Sequence, residues 1–181
     1  QQVNKFVKEV LKTQGQIDVL VNNAGYADVK KAIEEVSDEE YKLYMQTNVD
    51  SVFYFTREVL PQMKKQNNGV IVNIASGAGR KGHPGLAVYS AAKFAVLGLT
   101  ESVAKELENT AIKCLAICPG GINTAMRAAI FVKEDSEKQQ SPFAVAEILR
   151  DMLLDKIKVP NGADVHIRNG QITAINDNLS K

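Results

Sequence analysis

Residues 70–93 read VIVNIASGAGRKGHPGLAVYSAAK, and this stretch decides the architecture. Val70–Ile74 is a short apolar run, mostly β-branched, of strand length. The glycines and small residues of Ala75–His83 break it into a loop. A helical pattern rich in alanine then runs from Ser90 to Leu107. Strand, glycine loop and long helix, in that order, make half of a parallel β–α–β unit.

The same alternation extends in both directions. Ile17–Val21 (IDVLV), Ile112–Ile117 (IKCLAI) and Asp164–Ile167 (DVHI) are the other strand candidates. The first two, with Val70–Ile74, are nearly unbroken apolar runs, which suits strands covered on both faces. At the start of the chain Val3, Phe6, Val7, Val10 and Leu11 recur at helical spacing until Gly15. Ser37–Glu40 has the form of a capping box, Thr47–Lys65 is a long amphipathic stretch, and Ser141-Pro142 opens a last helix. We therefore expect an α/β fold, a doubly wound, parallel, Rossmann-like sheet with right-handed crossovers, in one domain over residues 1–181. Arg127–Gln140 is polar and irregular and is expected to form a mobile loop or lid. Ligands of such sheets bind beyond the carboxyl ends of the strands, which selects Asn22–Tyr26, Ala75–His83 and Pro119–Met126.

With 24% charged residues and a formal net charge of +1, the chain has no basic footprint for nucleic acid or an anionic membrane surface. No apolar run approaches the roughly 20 residues needed to span a bilayer, and nothing resembles a secretory signal. A cytoplasmic protein is expected. Cys114 and Cys118 would lie about 13 Å apart on one face of one strand, too far for a disulfide. They read as buried, reduced thiols, and no metal site is expected. Asn178-Leu179-Ser180 matches a glycosylation sequon, which has no meaning in a cytoplasmic chain.

Tyr89 and Lys93 stand four apart on the alanine-rich helix and so share a face. A free phenol has a pKa of about 10 and is a poor base at neutral pH. A nearby ammonium favours the phenolate, so Lys93 is expected to bring Tyr89 down towards working pH. Tyr89 would then act as general acid/base at a carbonyl or alcohol oxygen. Ser76, at a strand end 13 positions upstream (89 − 76), can hydrogen-bond the same oxygen. The spacing alone is weak, since Tyr26 and Lys30 are also four apart. That pair follows a strand end in a loop and has no serine 13 positions before it. His83, between Ser76 and Tyr89, is read as a surface histidine.

Four segments resemble, in order and spacing, the active-site half of the short-chain dehydrogenase/reductase family. They are NNAG (Asn22–Gly25), VNIASGAG (Val72–Gly79), YSAAK (Tyr89–Lys93) and PGGINT (Pro119–Thr124), and the likeness runs from about Ile17 to Gly170. It implies an NAD(P)-dependent oxidoreductase interconverting a ketone and a secondary alcohol, with Asn48, Ser76, Tyr89 and Lys93 as catalytic residues. Asn48 matches the residue that interrupts a helix and holds a water in a proton relay to Lys93. Asn23, Ala24 and Gly25 would meet the cofactor ribose, and Tyr89 and Lys93 would touch the cofactor as well. Pro119, Gly120, Ile122 and Thr124 would cradle its nicotinamide and pyrophosphate; Gly121 departs from the many relatives that carry a larger residue there. The partner would be a small carbonyl or alcohol, with a 3-oxoacyl thioester favoured over a sugar or polyol. Relatives pair the helices matching Thr47–Lys65 and Ser90–Leu107, which implies a homodimer or homotetramer. A non-catalytic dinucleotide-binding or scaffold protein of the same fold is the alternative. It predicts erosion of the catalytic set, whose four members are all present.

The family's glycine-rich TGxxxGxG loop, which binds pyrophosphate at a helix N-terminus, is not in this sequence. The sheet is therefore expected to be incomplete on its N-terminal side; either the cofactor half lies outside the sequence, the reading we favour, or the chain is a fragment. A chain that began at Gln1 would leave IDVLV as an unprotected apolar edge. The residue that distinguishes NAD from NADP belongs to the same missing part.

Overall fold

The computed structural model describes residues 2–179 and contains one five-stranded sheet in the order β1-β2-β3-β4-β5. The strands are β1 (Val19–Asn22), β2 (Gly69–Ile74), β3 (Ile112–Pro119), β4 (Asp164–Arg168) and β5 (Gln171–Asn176). The first four run parallel, and β5 returns antiparallel to β4. Gln1, where the first helical pattern begins, and Ser180 of the sequon lie outside the described residues.

The helices follow local signals. Helix α1 (Gln2–Gln14) ends before Gly15, whose φ of +79° is strained for other residues. The capping box starts α2 (Asp38–Met45): Ser37 Oγ accepts from the Glu40 N–H at 3.2 Å, and Glu40 accepts from the Ser37 N–H at 2.9 Å. Residues 46–50 wind as a π-turn into α3 (Ser51–Gln66). Helix α4 (Ala87–Glu106) is the alanine-rich one, and α7 (Pro142–Leu153) begins at Ser141 with proline in its first turn.

The two faces of the sheet carry different helices. On one, Ile71, Ile112 and Cys114 pack with Val7 of α1, Val59 and Met63 of α3, and Val103 and Ala104 of α4. On the other, Val72, Leu115, Ile117, Val165 and Ile167 pack with Val145 and Met152 of α7. The expected doubly wound parallel sheet is thus present, but the expectation of uniformly right-handed crossovers fails. Each step from β1 to β4 moves the same way across a parallel sheet, while α3 and α4 cover one face and α7 the other. The β3–α7–β4 connection therefore has the opposite hand to the two before it.

Two-sided cover holds for β2 and β3, and β1 is the edge strand of the described sheet. Val19 and Val21 are 41% and 40% exposed on the α7 side, where a groove of about 310 Å3 runs between the sheet and α7. The expected irregular lid at Arg127–Gln140 is instead mostly helical. Thr124 Oγ accepts from the Arg127 N–H at 3.2 Å and caps α5 (Ala125–Phe131), and α6 (Lys133–Glu137) follows at Val132, whose φ is +80°. Ser136 of α6 is buried and bonds Asn123 Oδ1 at 3.1 Å and the Thr124 carbonyl at 3.2 Å, which ties this segment to the end of β3.

Candidate active site

Strand β2 stops at Ile74 and delivers Ser76 to the carboxyl end of the sheet, where Ser76 caps the 3-10 turn Gly77–Gly79 by accepting from the Ala78 N–H at 3.1 Å. Tyr89 and Lys93 lie in the first two turns of α4, directly behind this loop. Close packing requires Gly79, because a Cβ there would meet the Lys93 backbone carbonyl oxygen at 2.8 Å. Lys93 is 4% exposed, and its Nζ donates to the Ile74 carbonyl at 2.9 Å and stands 5.8 Å from the Tyr89 ring centroid.

Electrostatics differ from the expectation of a phenol lowered by Lys93. Burial pushes the Tyr89 phenol above its ordinary value, and the Ser76 side chain, close enough to hydrogen-bond it, opposes that rise without overcoming it. Lys93 contributes nothing resolvable to Tyr89. It is itself buried, which brings its ammonium down to about 8, and its hydrogen bond goes to the Ile74 carbonyl.

Asn48, fully buried in the π-turn, reaches the same place from another side. Its Oδ1 accepts from the Tyr26 N–H at 3.1 Å, and its Nδ2 donates to the Tyr26 and Tyr44 carbonyls at 2.8 and 2.9 Å. The loop after β1 is thereby pinned over Lys93. A Cβ on Gly25 would stand 3.2 Å from Asn48 Oδ1 and 3.6 Å from Lys93 Nζ, so glycine keeps backbone surface open there. Asn23 and Ala24 are exposed beside it. This open cradle beside a buried ammonium fits the ribose and nicotinamide end of a dinucleotide.

Across the site, Pro119 is buried and Gly120 and Ile122 are partly buried, with Gly120 donating to the Ile167 carbonyl at 2.8 Å. Thr124 is exposed at the cap of α5. The Tyr26–Lys30 pair does not form a second site, since it is not helical. Tyr26 OH donates to Asp28 at 3.1 Å, and Lys30 Nζ stands 4.1 Å over the Phe131 ring. His83 is exposed. Cys114 and Cys118 are buried free thiols, both pushed up to about 12, chiefly by burial.

Sequence reasoning missed two buried polar networks. Asn22 Nδ2 donates to Asn73 Oδ1 at 2.8 Å, and Asn73 Nδ2 to Thr100 Oγ at 2.8 Å, linking β1, β2 and α4 beneath the site. The signal was an asparagine closing or interrupting each of two apolar runs, VLVN and VIVN. Arg80, just after the Ser76 turn, donates to buried Asp164 at 2.5 Å and to Asn178 Oδ1 at 3.3 Å. Burial alone would raise the Asp164 carboxyl; the Arg80 hydrogen bond and charge outweigh it and hold the group below its ordinary value. His166 Nε2 lies 3.5 Å from the same carboxylate oxygen.

A parallel sheet with Ser76, Tyr89 and Lys93 gathered at its carboxyl ends has the architecture of dinucleotide-binding α/β folds. The chain belongs to the short chain dehydrogenase family, whose profile it matches over residues 1–135. It is 33% identical over 177 residues to the 3-oxoacyl-(acyl-carrier-protein) reductase FabG of Staphylococcus epidermidis, spanning 93% of this chain and 72% of that protein. It is 39% identical over 137 residues to 3beta-hydroxysteroid dehydrogenase 2 of Eggerthella lenta, spanning 75% of this chain and 52% of that one. The crystal structure of the 3-ketoacyl-(acyl-carrier-protein) reductase of Brucella melitensis complexed with NADH superposes with a TM-score of 0.84 at 30% identity, over 93% of this chain and 72% of that chain. The protein is accordingly an oxidoreductase acting on CH–OH groups of small molecules with NAD or NADP. No helix among the described residues is long and apolar enough to cross a membrane.

Proposed function

We propose that Asn48, Ser76, Tyr89 and Lys93 form the catalytic set of a carbonyl reductase or alcohol dehydrogenase. The observation that carries this is the convergence of Lys93, Gly25 and Asn48 behind Ser76 and Tyr89 at the carboxyl ends of β1 and β2. Bound NAD(P)H supplies the hydride in reduction, and NAD(P)+ accepts it in oxidation. Tyr89 gives its proton to the substrate oxygen in reduction and takes it back in oxidation. Ser76 donates a hydrogen bond to that oxygen as charge develops on it. Lys93 keeps a buried ammonium beside the Gly25 cradle, where it would meet the cofactor ribose, and Asn48 orders the Gly25 loop against it. Asn23, Ala24, Gly25, Pro119, Gly120, Ile122 and Thr124 would hold the cofactor, with Tyr89 and Lys93 touching it.

The substrate we favour is a 3-oxoacyl thioester. Two of the relatives above carry 3-oxoacyl or 3-ketoacyl reductase names, which supports this reading. NAD(P)H oxidation with 3-oxoacyl thioesters, a sugar ketone and a steroid ketone tests both statements. The expected result is turnover, fastest on the 3-oxoacyl group and lowered at least about 100-fold in Tyr89→Phe. Undiminished turnover in that variant would remove Tyr89 from the mechanism.

We also take residues 1–181 as one domain of a cytoplasmic homodimer or homotetramer. Phe53 and Tyr54 of α3 and Phe94 of α4 are 44%, 41% and 45% exposed, an apolar surface suited to helix pairing. A monomer by light scattering at micromolar concentration would count against this assembly.

A further inference from the structure

Arg168 closes β4, and its side chain runs across the carboxyl ends of the neighbouring strands. A Cβ on Gly120 would stand 3.1 Å from Arg168 Cγ, and one on Gly77 would stand 3.9 Å from Arg168 Nη2. Gly120 directly follows β3, and Gly77 directly follows Ser76. The two glycines thus clear a track along which the guanidinium extends from the fourth strand to within one residue of Ser76.

The other arginines of the chain are each matched to a carboxylate: Arg57 to Glu58, Arg80 to Asp164, Arg127 to Asp135 and Arg150 to Asp151. Arg168 is exposed and, among the described residues, has no hydrogen bond or ion pair. A guanidinium presents donors in a planar fork that matches a carboxylate or phosphate, and it stays charged at any working pH. Here that fork lies on the ligand side of an α/β sheet beside the Ser76 loop.

We propose that Arg168 is a specificity-determining residue that binds a carboxylate or phosphate carried by the substrate away from its reacting carbon. The inference rests on the proposed active site at Ser76 and Tyr89 and adds what the ketone carries beyond its carbonyl. Gly120 belongs to this device, because a side chain there would press on the stem of Arg168.

The test compares anionic ketones with neutral counterparts at saturating NADH or NADPH: acetoacetate, 4-oxopentanoate and 5-oxohexanoate against their methyl esters, and dihydroxyacetone phosphate against dihydroxyacetone. At least one anion should be preferred, and Arg168→Gln should lower that preference in kcat/KM about 30-fold, mainly through KM, with partial recovery in Arg168→Lys. No anionic preference, or one unchanged in Arg168→Gln, overturns the proposal. So does a preference that holds while the KM of NADH or NADPH rises, which would give Arg168 to a cofactor phosphate. Calorimetric titration with the same anions separates this idea from the hydride-transfer reading. Binding that Arg168→Gln abolishes, in a protein that reduces none of the ketones, would keep Arg168 and count against the proposed site at Ser76 and Tyr89. Neither binding nor turnover would sink both.

Discussion

Asn48 holds Tyr26 at two points, its Oδ1 accepting from the Tyr26 N–H at 3.1 Å and its Nδ2 donating to the Tyr26 carbonyl at 2.8 Å. The clamp joins the π-turn between α2 and α3 to the loop after β1, and it sets Gly25 over Lys93. A π-turn inside an otherwise α-helical run often marks a functional site, and here it lets a fully buried side chain satisfy the backbone of a distant loop.

Asn48→Ala should therefore lose both stability and turnover. Removing the amide leaves the Tyr26 and Tyr44 backbone groups without their partner, a cost of about 2–4 kcal/mol. Chemical denaturation reads that loss, and kcat should fall with it because the Gly25 loop is no longer held. A variant with wild-type stability and activity would show that the clamp is ornamental.

Lys93 should make stability rise with pH in the protein without added dinucleotide. Its folded pKa is about 8 against an ordinary 10.5, so between those values the unfolded chain keeps a proton that the folded chain has released. Stability then climbs across this window by up to about 1.4 kcal/mol per pH unit, and the full penalty of the buried ammonium is felt below it. Lys93→Met should abolish the climb and gain about 1–2 kcal/mol at pH 7, net of the lost bond to the Ile74 carbonyl, while losing turnover. A wild-type profile that is flat or falling between pH 8 and 10 argues against this burial.

Tyr89 should titrate above the ordinary phenol value in the same preparation. The chain has five tyrosines and no tryptophan, so absorbance at the phenolate band follows them cleanly. Tyr89→Phe should remove a late component, and Lys93→Met should leave that component late. If Tyr89 instead titrates early and Lys93→Met delays it, then the ammonium, not burial, governs the phenol. With Tyr89 as the base, alcohol oxidation should increase with pH through the alkaline range.

Asn73→Ala should cost about 2–4 kcal/mol without touching the site directly, since it strips Asn22 Nδ2 of its 2.8 Å acceptor and Thr100 of its donor in the buried core. The double variant Asn22→Ala/Asn73→Ala should be less destabilised than the sum of its parts, because the two share one bond. Strict additivity in a denaturation cycle would rule out the coupling.

Arg80→Met should destabilise more than Asp164→Asn. Asp164 is 1% exposed, and loss of its cation strands a buried charge, whereas the neutral amide needs no cation. The expected gap is about 1–2 kcal/mol, discounted because Arg80 is itself partly exposed. Equal effects at neutral pH would mean that Asp164 is not charged in the folded protein.

Much of the fold was legible because its signals are local. The capping box at Ser37, the Ser141-Pro142 helix start and the apolar runs of β2 and β3 each depend on a handful of adjacent residues. Residues 125–137 were misread because Thr124 capping α5 is a weak signal and buried Ser136 looks like any loop serine. The hairpin of β4 and β5 was missed although Asn169-Gly170 announces it. Their φ values of +51° and +69° are those of a two-residue type I′ turn.

By itself the sequence determined the reaction class, through four segments in the order and spacing of one family, from NNAG at Asn22–Gly25 to PGGINT at Pro119–Thr124. The placement of Tyr89 and Lys93 on one face was legible too, since a helix carries residues four apart onto one face wherever it packs. Tertiary structure alone decided the rest: the opposite hand of the β3–α7–β4 connection, the pairing of Asn22 with Asn73, and the reach of Arg168 over Gly120. It also decided that Tyr89 sits high and Lys93 low, because a pKa reports how much water and charge surround a group, and those neighbours come from all along the chain.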